Sequence, residues 1–154
     1  MTMLRWSAIV FVALIATGTA TAQERKITRQ ELPPAVERAV AAQSQGATIC
    51  GFSEEKEDGR TFYEMELRVN GRTRDVTMDS SGAVVMVEEE VELTALPAAV
   101  QAGLKAAAGA GTITLIESVT RVGRLVFYEG HVVTDGKESE IKVGPDGKLL
   151  PPEP

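Results

Sequence analysis

The sequence predicts an α+β protein of two tandem repeats, each one N-terminal helix packed on a three- to four-stranded antiparallel sheet. Three observations lead there. The chain matches itself: Leu32-Pro33-Pro34-Ala35-Val36 returns as Leu96-Pro97-Ala98-Ala99-Val100, and Thr48-Ile49 as Thr112-Ile113, at an offset of 64 residues. The match runs on through Gly59-Arg60, Phe62-Tyr63-Glu64 and Asn70-Gly71 to Gly123-Arg124, Phe127-Tyr128-Glu129 and Asp135-Gly136. On the way the offset becomes 65, which places a one-residue insertion near Leu125-Val126. Within each copy, helical spacing of apolar residues comes first and strand-like alternation follows.

The chain opens on an export signal. Arg5 gives the positive start, Trp6 to Ala16 is an apolar run too short to span a bilayer comfortably, and Ala20-Thr21-Ala22 supplies small residues for cleavage before Gln23. Residues 1–22 are therefore expected to leave, with repeat 1 over 23–90 and repeat 2 over 91–154. After cleavage no stable membrane anchor is expected. The location expected is the periplasm or the exterior.

In copy one, Thr28 and Glu31 are spaced to form a capping box, and Pro33 or Pro34 suits a first helical turn. Leu32, Val36, Ala39, Val40 and Ala42 then give an amphipathic helix of two to three turns. Copy two repeats it with Leu96, Val100, Leu104 and Ala107, rich in alanine and ended by Gly109 and Gly111. Strands are expected over 48–53, 62–69, 74–78 and 84–87 in copy one. Their counterparts are 112–120, 126–134, 138–143 and a short 148–150 before Pro151. Glu57-Asp58-Gly59 and Val122-Gly123 make turns, and Asn70-Gly71 and Asp135-Gly136 are strong two-residue hairpin signals. Alternation puts Tyr63, Met65, Leu67, Val69, Val76 and Met78 toward the helix, with Glu64, Glu66, Arg68, Asp75 and Thr77 on the other side. In copy two Tyr128, Gly130, Val132, Ile141 and Val143 face inward. Phe127, Glu129, His131 and Val133, with Glu140 and Lys142, face outward.

Composition narrows the function classes. The full chain carries 16 basic and 22 acidic residues, a net charge of −6, and only Arg5 among them lies in the signal. Such acidity argues against nucleic acid, whose phosphates require a basic face, and against adsorption to anionic lipid. Cys50 is the sole cysteine, so no disulfide forms within the chain. It is either a reactive or intermolecular thiol or a small strand residue. Its repeat partner Thr114 and its acidic neighbours Glu54 and Glu55 favour the second.

Leu-Pro-x-x-Val at the helix start, Tyr-Glu in the second strand, Asn/Asp-Gly in the hairpin and an Asp/Gly turn before the last strand together resemble the PepSY and PepSY-like domain family. The matching residues are Leu32, Pro33, Val36, Tyr63, Glu64, Asn70, Gly71, Asp79 and Gly82. In copy two they are Leu96, Pro97, Val100, Tyr128, Glu129, Asp135, Gly136, Asp146 and Gly147. The resemblance implies an exported, non-enzymatic module of the kind found in propeptides of secreted metallopeptidases, where it inhibits or aids folding, or free-standing in the periplasm. A tandem arrangement is distantly like the β-lactamase-inhibitor-type proteins, which grip an enzyme with a sheet surface. This chain departs from them in lacking tryptophan-rich strands, its one Trp being Trp6.

No catalytic constellation, cofactor or metal centre is expected. His131 is the single histidine, so neither a histidine pair nor a cysteine set for structural zinc exists. His131, Glu129 and Glu140 are near enough in the expected sheet for a weak metal or proton-linked contact, or they are simply solvated. The acidic runs Glu54, Glu55, Glu57, Asp58 and Glu88, Glu89, Glu90, Glu92 lack the shaped loop that calcium needs. They are expected to be solvating charge, and a low-affinity cation-binding or sensing role is the alternative reading. The candidate partner surface is the free sheet face: Glu64, Glu66, Arg68, Phe127, Glu129, His131 and Val133. The partner expected is another exported protein, such as a peptidase or envelope enzyme. Phe127 and Val133 either contact it or are buried where the two copies dock.

Overall fold

The computed structural model describes residues 23–151; the expected signal lies outside them. Eight strands follow in chain order, β1 Gln23–Ile27, β2 Thr48–Glu57, β3 Arg60–Val69, β4 Arg72–Asp79, β5 Val84–Glu90, β6 Thr112–Arg121, β7 Arg124–Thr134 and β8 Lys137–Val143. Two α-helices interrupt them, α1 Pro34–Gln43 and α2 Ala98–Ala108, each preceded by a single 3₁₀ turn. All eight strands form one antiparallel sheet in the order β1 to β8.

That sheet corrects the expected fold class. The two halves do not form separate helix-on-sheet units, because β5 pairs with β6 from Met86 opposite Arg121 to Glu90 opposite Glu117. Val122 N–H to Val85 O at 3.0 Å and Val91 N–H to Ile116 O at 2.9 Å extend the pairing at both ends. Two separate sheets would leave β5 and β6 as open edges, each a row of unsatisfied N–H and C=O groups. Joining them removes both edges and buries Met86, Val119 and Phe127 against one another at the seam. β1, unexpected from its polar sequence, adds a strand along β2 and buries Ile27. The expected strand over 148–150 is reduced to a single bridge between Val143 and Leu149.

Both helices lie on the same side of the sheet. Val36 and Val40 of α1 bury against Met65, Leu67, Val76 and Met78, while Val100 and Leu104 of α2 bury against Ile116, Tyr128 and Val143. α1 begins at Pro34, which supplies helical φ and lacks an N–H that would go unused, while α2 begins at Ala98 after Pro97 at its N-cap. The Thr28–Glu31 capping box closes the 3₁₀ turn before α1 rather than α1 itself. Close approach of α2 depends on Gly103, where a Cβ would meet the Gly147 carbonyl oxygen at 2.1 Å. The hairpin turns are as expected, with φ of 51° at Asn70 and 52° at Asp135, each followed by a positive-φ glycine.

Four bulges adjust the strands. Cys50 is the extra residue where β2 shifts register on β3, and Thr114 is the extra residue where β6 shifts on β7. Val85 and Val126 are the extra residues on the two sides of the seam. The insertion legible near Leu125-Val126 is thus a β-bulge, which absorbs one residue without inverting the rest of β7.

Candidate interaction face

Register determines which side chains share the helix-free side, since partners across an antiparallel ladder point the same way. One row runs Glu66, Asp75, Glu88, Val119 and Phe127 across β3 to β7. The next runs Arg68, Thr73, Glu90, Glu117, Glu129 and Lys142 across β3 to β8. Glu64 stands beside the first row on β3, opposite Thr77, and His131 beside the second on β7, opposite Glu140. No described helix covers this side.

An acidic band results, and much of it is withdrawn from water. Glu64, Asp75, Glu117 and Glu129 are 9%, 6%, 8% and 9% exposed. Burial, then the nearby Asp75 and Glu88, pushes the Glu64 carboxyl up to about 9. Burial followed by Glu117 and Glu129 raises Glu88 to about 8, and burial followed by Glu117 raises Asp75 to about 7. Desolvation and like charge both favour the neutral acid, so these three resist ionising together. Cations stand toward the ends of the band. Lys26 Nζ bonds Glu66 Oε1, and Lys142 Nζ lies 3.4 Å from Glu129 Oε2. His131 Nε2 lies 3.1 Å from Glu117 Oε2 and 3.8 Å from Glu129 Oε1, with its Nδ1 4.0 Å from Glu140 Oε1. The Glu117 hydrogen bond holds the His131 imidazole above its ordinary value despite burial.

The expected partner-surface residues divide accordingly. Glu64, Glu66, Glu129 and His131 belong to the band. Arg68 lies at the end of β3, where its Nη1 donates to the Gly71 carbonyl at 3.3 Å. Val133 is half-buried near the β7–β8 hairpin, between Thr112 and Glu138. Phe127 is only 4% exposed, packed into the seam with Lys142 Nζ 4.9 Å and Arg121 Cζ 5.6 Å from its ring centre. Of its two expected settings, burial where the halves meet is the one found.

Four acidic members of the band escape reasoning from sequence: Asp75, Glu88, Glu90 and Glu117. Asp75 lies on the face that alternation indicates but outside the expected partner surface. Glu88 and Glu90 stand in an acidic run that reads as solvating charge, and no motif marks Glu117. The alternation of β6 contains the signal for Glu117, but its neighbours Glu90 and Glu129 follow only from the β5–β6 and β6–β7 registers. Among the described residues, one group of three metal-capable side chains converges, Glu117, Glu129 and His131, with ligand atoms within 4.8 Å of one another. The acidic turns do not converge in this way. Asp79 turns inward to accept from the N–H groups of Ser81 and Ala83 at 2.9 and 3.1 Å, and Glu92 pairs with Arg72 at 3.1 Å.

No family model and no curated protein matches the chain. Solved structures do. A Bacteroides eggerthii protein, provisionally described as periplasmic, is 20% identical, covering 78% of this chain and 86% of its own, with a TM-score of 0.65. A DUF2874-family protein from Bacteroides ovatus is 19% identical over 78% of this chain and 85% of its own, with a TM-score of 0.62. A BLIP-like protein from Bacteroides fragilis is 19% identical over 77% of this chain and 83% of its own, with a TM-score of 0.57. Likeness at these identities is likeness of fold. The chain shares its single sheet with two helices on one side with DUF2874-family and BLIP-like proteins.

Proposed function

We propose that this chain is an exported, non-catalytic binding module that engages another exported protein through the helix-free face of its sheet. The observation that carries the reading is the face itself: both helices lie opposite, and polar and charged side chains from β3 to β8 share a side that no described helix covers, with Leu150 packed on the apolar seam within it. The signal-like start over 1–22 supports export. The fold shared with a BLIP-like protein supports binding over chemistry, as does the PepSY-like pattern of Leu32-Pro33, Tyr63-Glu64 and their later counterparts. The test is capture from the exported fraction with the chain from Gln23 onward, followed by direct titration of the captured protein once purified. Binding that survives unchanged in Glu66→Ala combined with Glu140→Ala moves the contact off this face.

A second reading, cation binding, is favoured by the convergence of Glu117, Glu129 and His131. An imidazole nitrogen with two carboxylates suits a borderline divalent ion such as zinc. Lys142 on Glu129 opposes it. A thermal melt with and without zinc decides: a rise lost in His131→Gln supports the ion site, and no rise removes it.

A further inference from the structure

We propose that the acidic band from Glu64 to Glu129 is the docking surface for a cationic protein segment, one presenting lysine and arginine side chains along an extended stretch. This rests on the binding reading above and names the partner's chemistry. The first support is a buried carboxyl group with no side-chain donor among the described residues. Glu64 is more than nine-tenths buried, lies on the free face, and accepts no side-chain hydrogen bond among the described residues. A group that has lost most of its water without gaining a donor is a standing cost, which an arriving ammonium or guanidinium offsets.

The second support is the spacing. Glu66, Asp75 and Glu88 are successive register partners, as are Glu90, Glu117 and Glu129. With strands about 4.8 Å apart, the band crosses about 19 Å from β3 to β7. A single ion needs several oxygens within one coordination shell, and among the described residues only the Glu117, Glu129 and His131 corner gathers three ligand atoms. Carboxyl groups strung one or two per strand instead match several cationic side chains at once, those of Glu66, Glu117 and Glu129 by exchanging their contacts with Lys26, His131 and Lys142. Charge of one sign on a shared face also raises the encounter rate with an oppositely charged partner.

The groups facing Glu64 set its protonation: Glu66 on its own strand, Lys26 on β1, Asp75 on β4 and Glu88 on β5, with Glu24 of β1 and Glu55 of β2 lining the same pocket. Of the first four, all but Lys26 disfavour its ionisation. A cation docking here reverses that balance, so association near neutral pH releases protons.

The experiment is calorimetric titration of the protein from Gln23 onward with a twelve-residue alternating Lys-Ala peptide, and with its Glu-Ala counterpart, at pH 7.5 in buffers of differing ionisation enthalpy. The expected result is saturable binding of the lysine peptide alone, with net proton release. In Glu64→Gln combined with Glu88→Gln, affinity falls at least tenfold and the proton release shrinks. A charge-matched control, Glu37→Gln with Glu92→Gln, lies off the band and keeps affinity within twofold. Circular dichroism confirms that both variants fold. Absence of lysine-peptide binding, or equal losses in the two variants, overturns the proposal. So does binding of zinc or calcium alone with indifference to the peptide. A purified neutral or acidic partner whose binding is lost in Glu66→Ala with Glu140→Ala leaves the binding module standing and rejects its cationic partner.

Discussion

Replacing Glu64 by glutamine should stabilise the protein at neutral pH and leave it nearly unchanged in acid. The side chain keeps its shape, so packing against Ser53 and Thr77 in the register is retained. What changes is the proton. In the unfolded chain Glu64 ionises near its ordinary 4.5, whereas in the fold burial, Asp75 and Glu88 push it up to about 9. A carboxyl whose folded value is raised contributes its full stability below pH 4.5, and that contribution is lost as pH climbs toward 9. At pH 7 folding must protonate the group across two and a half pH units, at about 1.36 kcal/mol each, or about 3 kcal/mol. Glutamine removes that term. Because Asp75 and Glu88 are coupled to it and relax in turn, a gain of about 1–3 kcal/mol is expected at pH 7, falling to about zero at pH 4.5. Urea unfolding of both proteins at the two pH values measures it. A stability difference that does not depend on pH, or a loss at pH 7, refutes the account of the buried carboxyl.

Three further outcomes follow from packing and exposure. Gly103→Ala sets a gain in helix propensity of about 1 kcal/mol against a backbone clash with the Gly147 carbonyl at 2.1 Å; the clash wins, and a thermal melt should show a net loss of about 2 kcal/mol or more. Phe127→Ala empties the seam beside Met86 and Val119 and should lower the unfolding free energy by about 3 kcal/mol, read from the urea midpoint at constant slope. Cys50 is exposed on a bulge, so iodoacetamide should alkylate it in the folded protein, and Cys50→Ser should change stability by less than about 0.5 kcal/mol. Protection of the thiol until denaturant is added would contradict its placement.

Local features were legible because they depend on a few adjacent residues. Asn70-Gly71 and Asp135-Gly136 turn where positive φ is tolerated, and α1 and α2 bury the valines and leucine that their spacing indicates. The shift of offset near Leu125-Val126 located a bulge, and the equivalence of Cys50 with Thr114 joined two more. Alternation correctly put Glu64, Glu66, Asp75, Glu129 and His131 on the side away from the helices. Alternation gives the side of a strand, though, and not its neighbour. The pairing of β5 with β6 joins segments separated by α2, and the acid run Glu88-Glu89-Glu90 looks like a solvated junction until that pairing is known. β1 was hidden for a similar reason: its polar residues gain from β2 what their own sequence does not advertise.

The seam and the acidic band are two consequences of one register. Once Met86, Val119 and Phe127 are buried together, period-two geometry commits Glu88, Glu117 and Glu129 to the same side, each two residues from one of them. A strand cannot turn one of these side chains without turning the others. Burying three large apolar groups contributes about 1.5–3 kcal/mol apiece, enough to hold carboxylates where water alone would not leave them. In two separate units Glu88 and Glu117 would lie on solvated edges, apart from one another. The pairing that makes one sheet of the chain therefore also assembles its binding surface, and loosening the seam at Phe127 should return Glu88 toward its ordinary protonation.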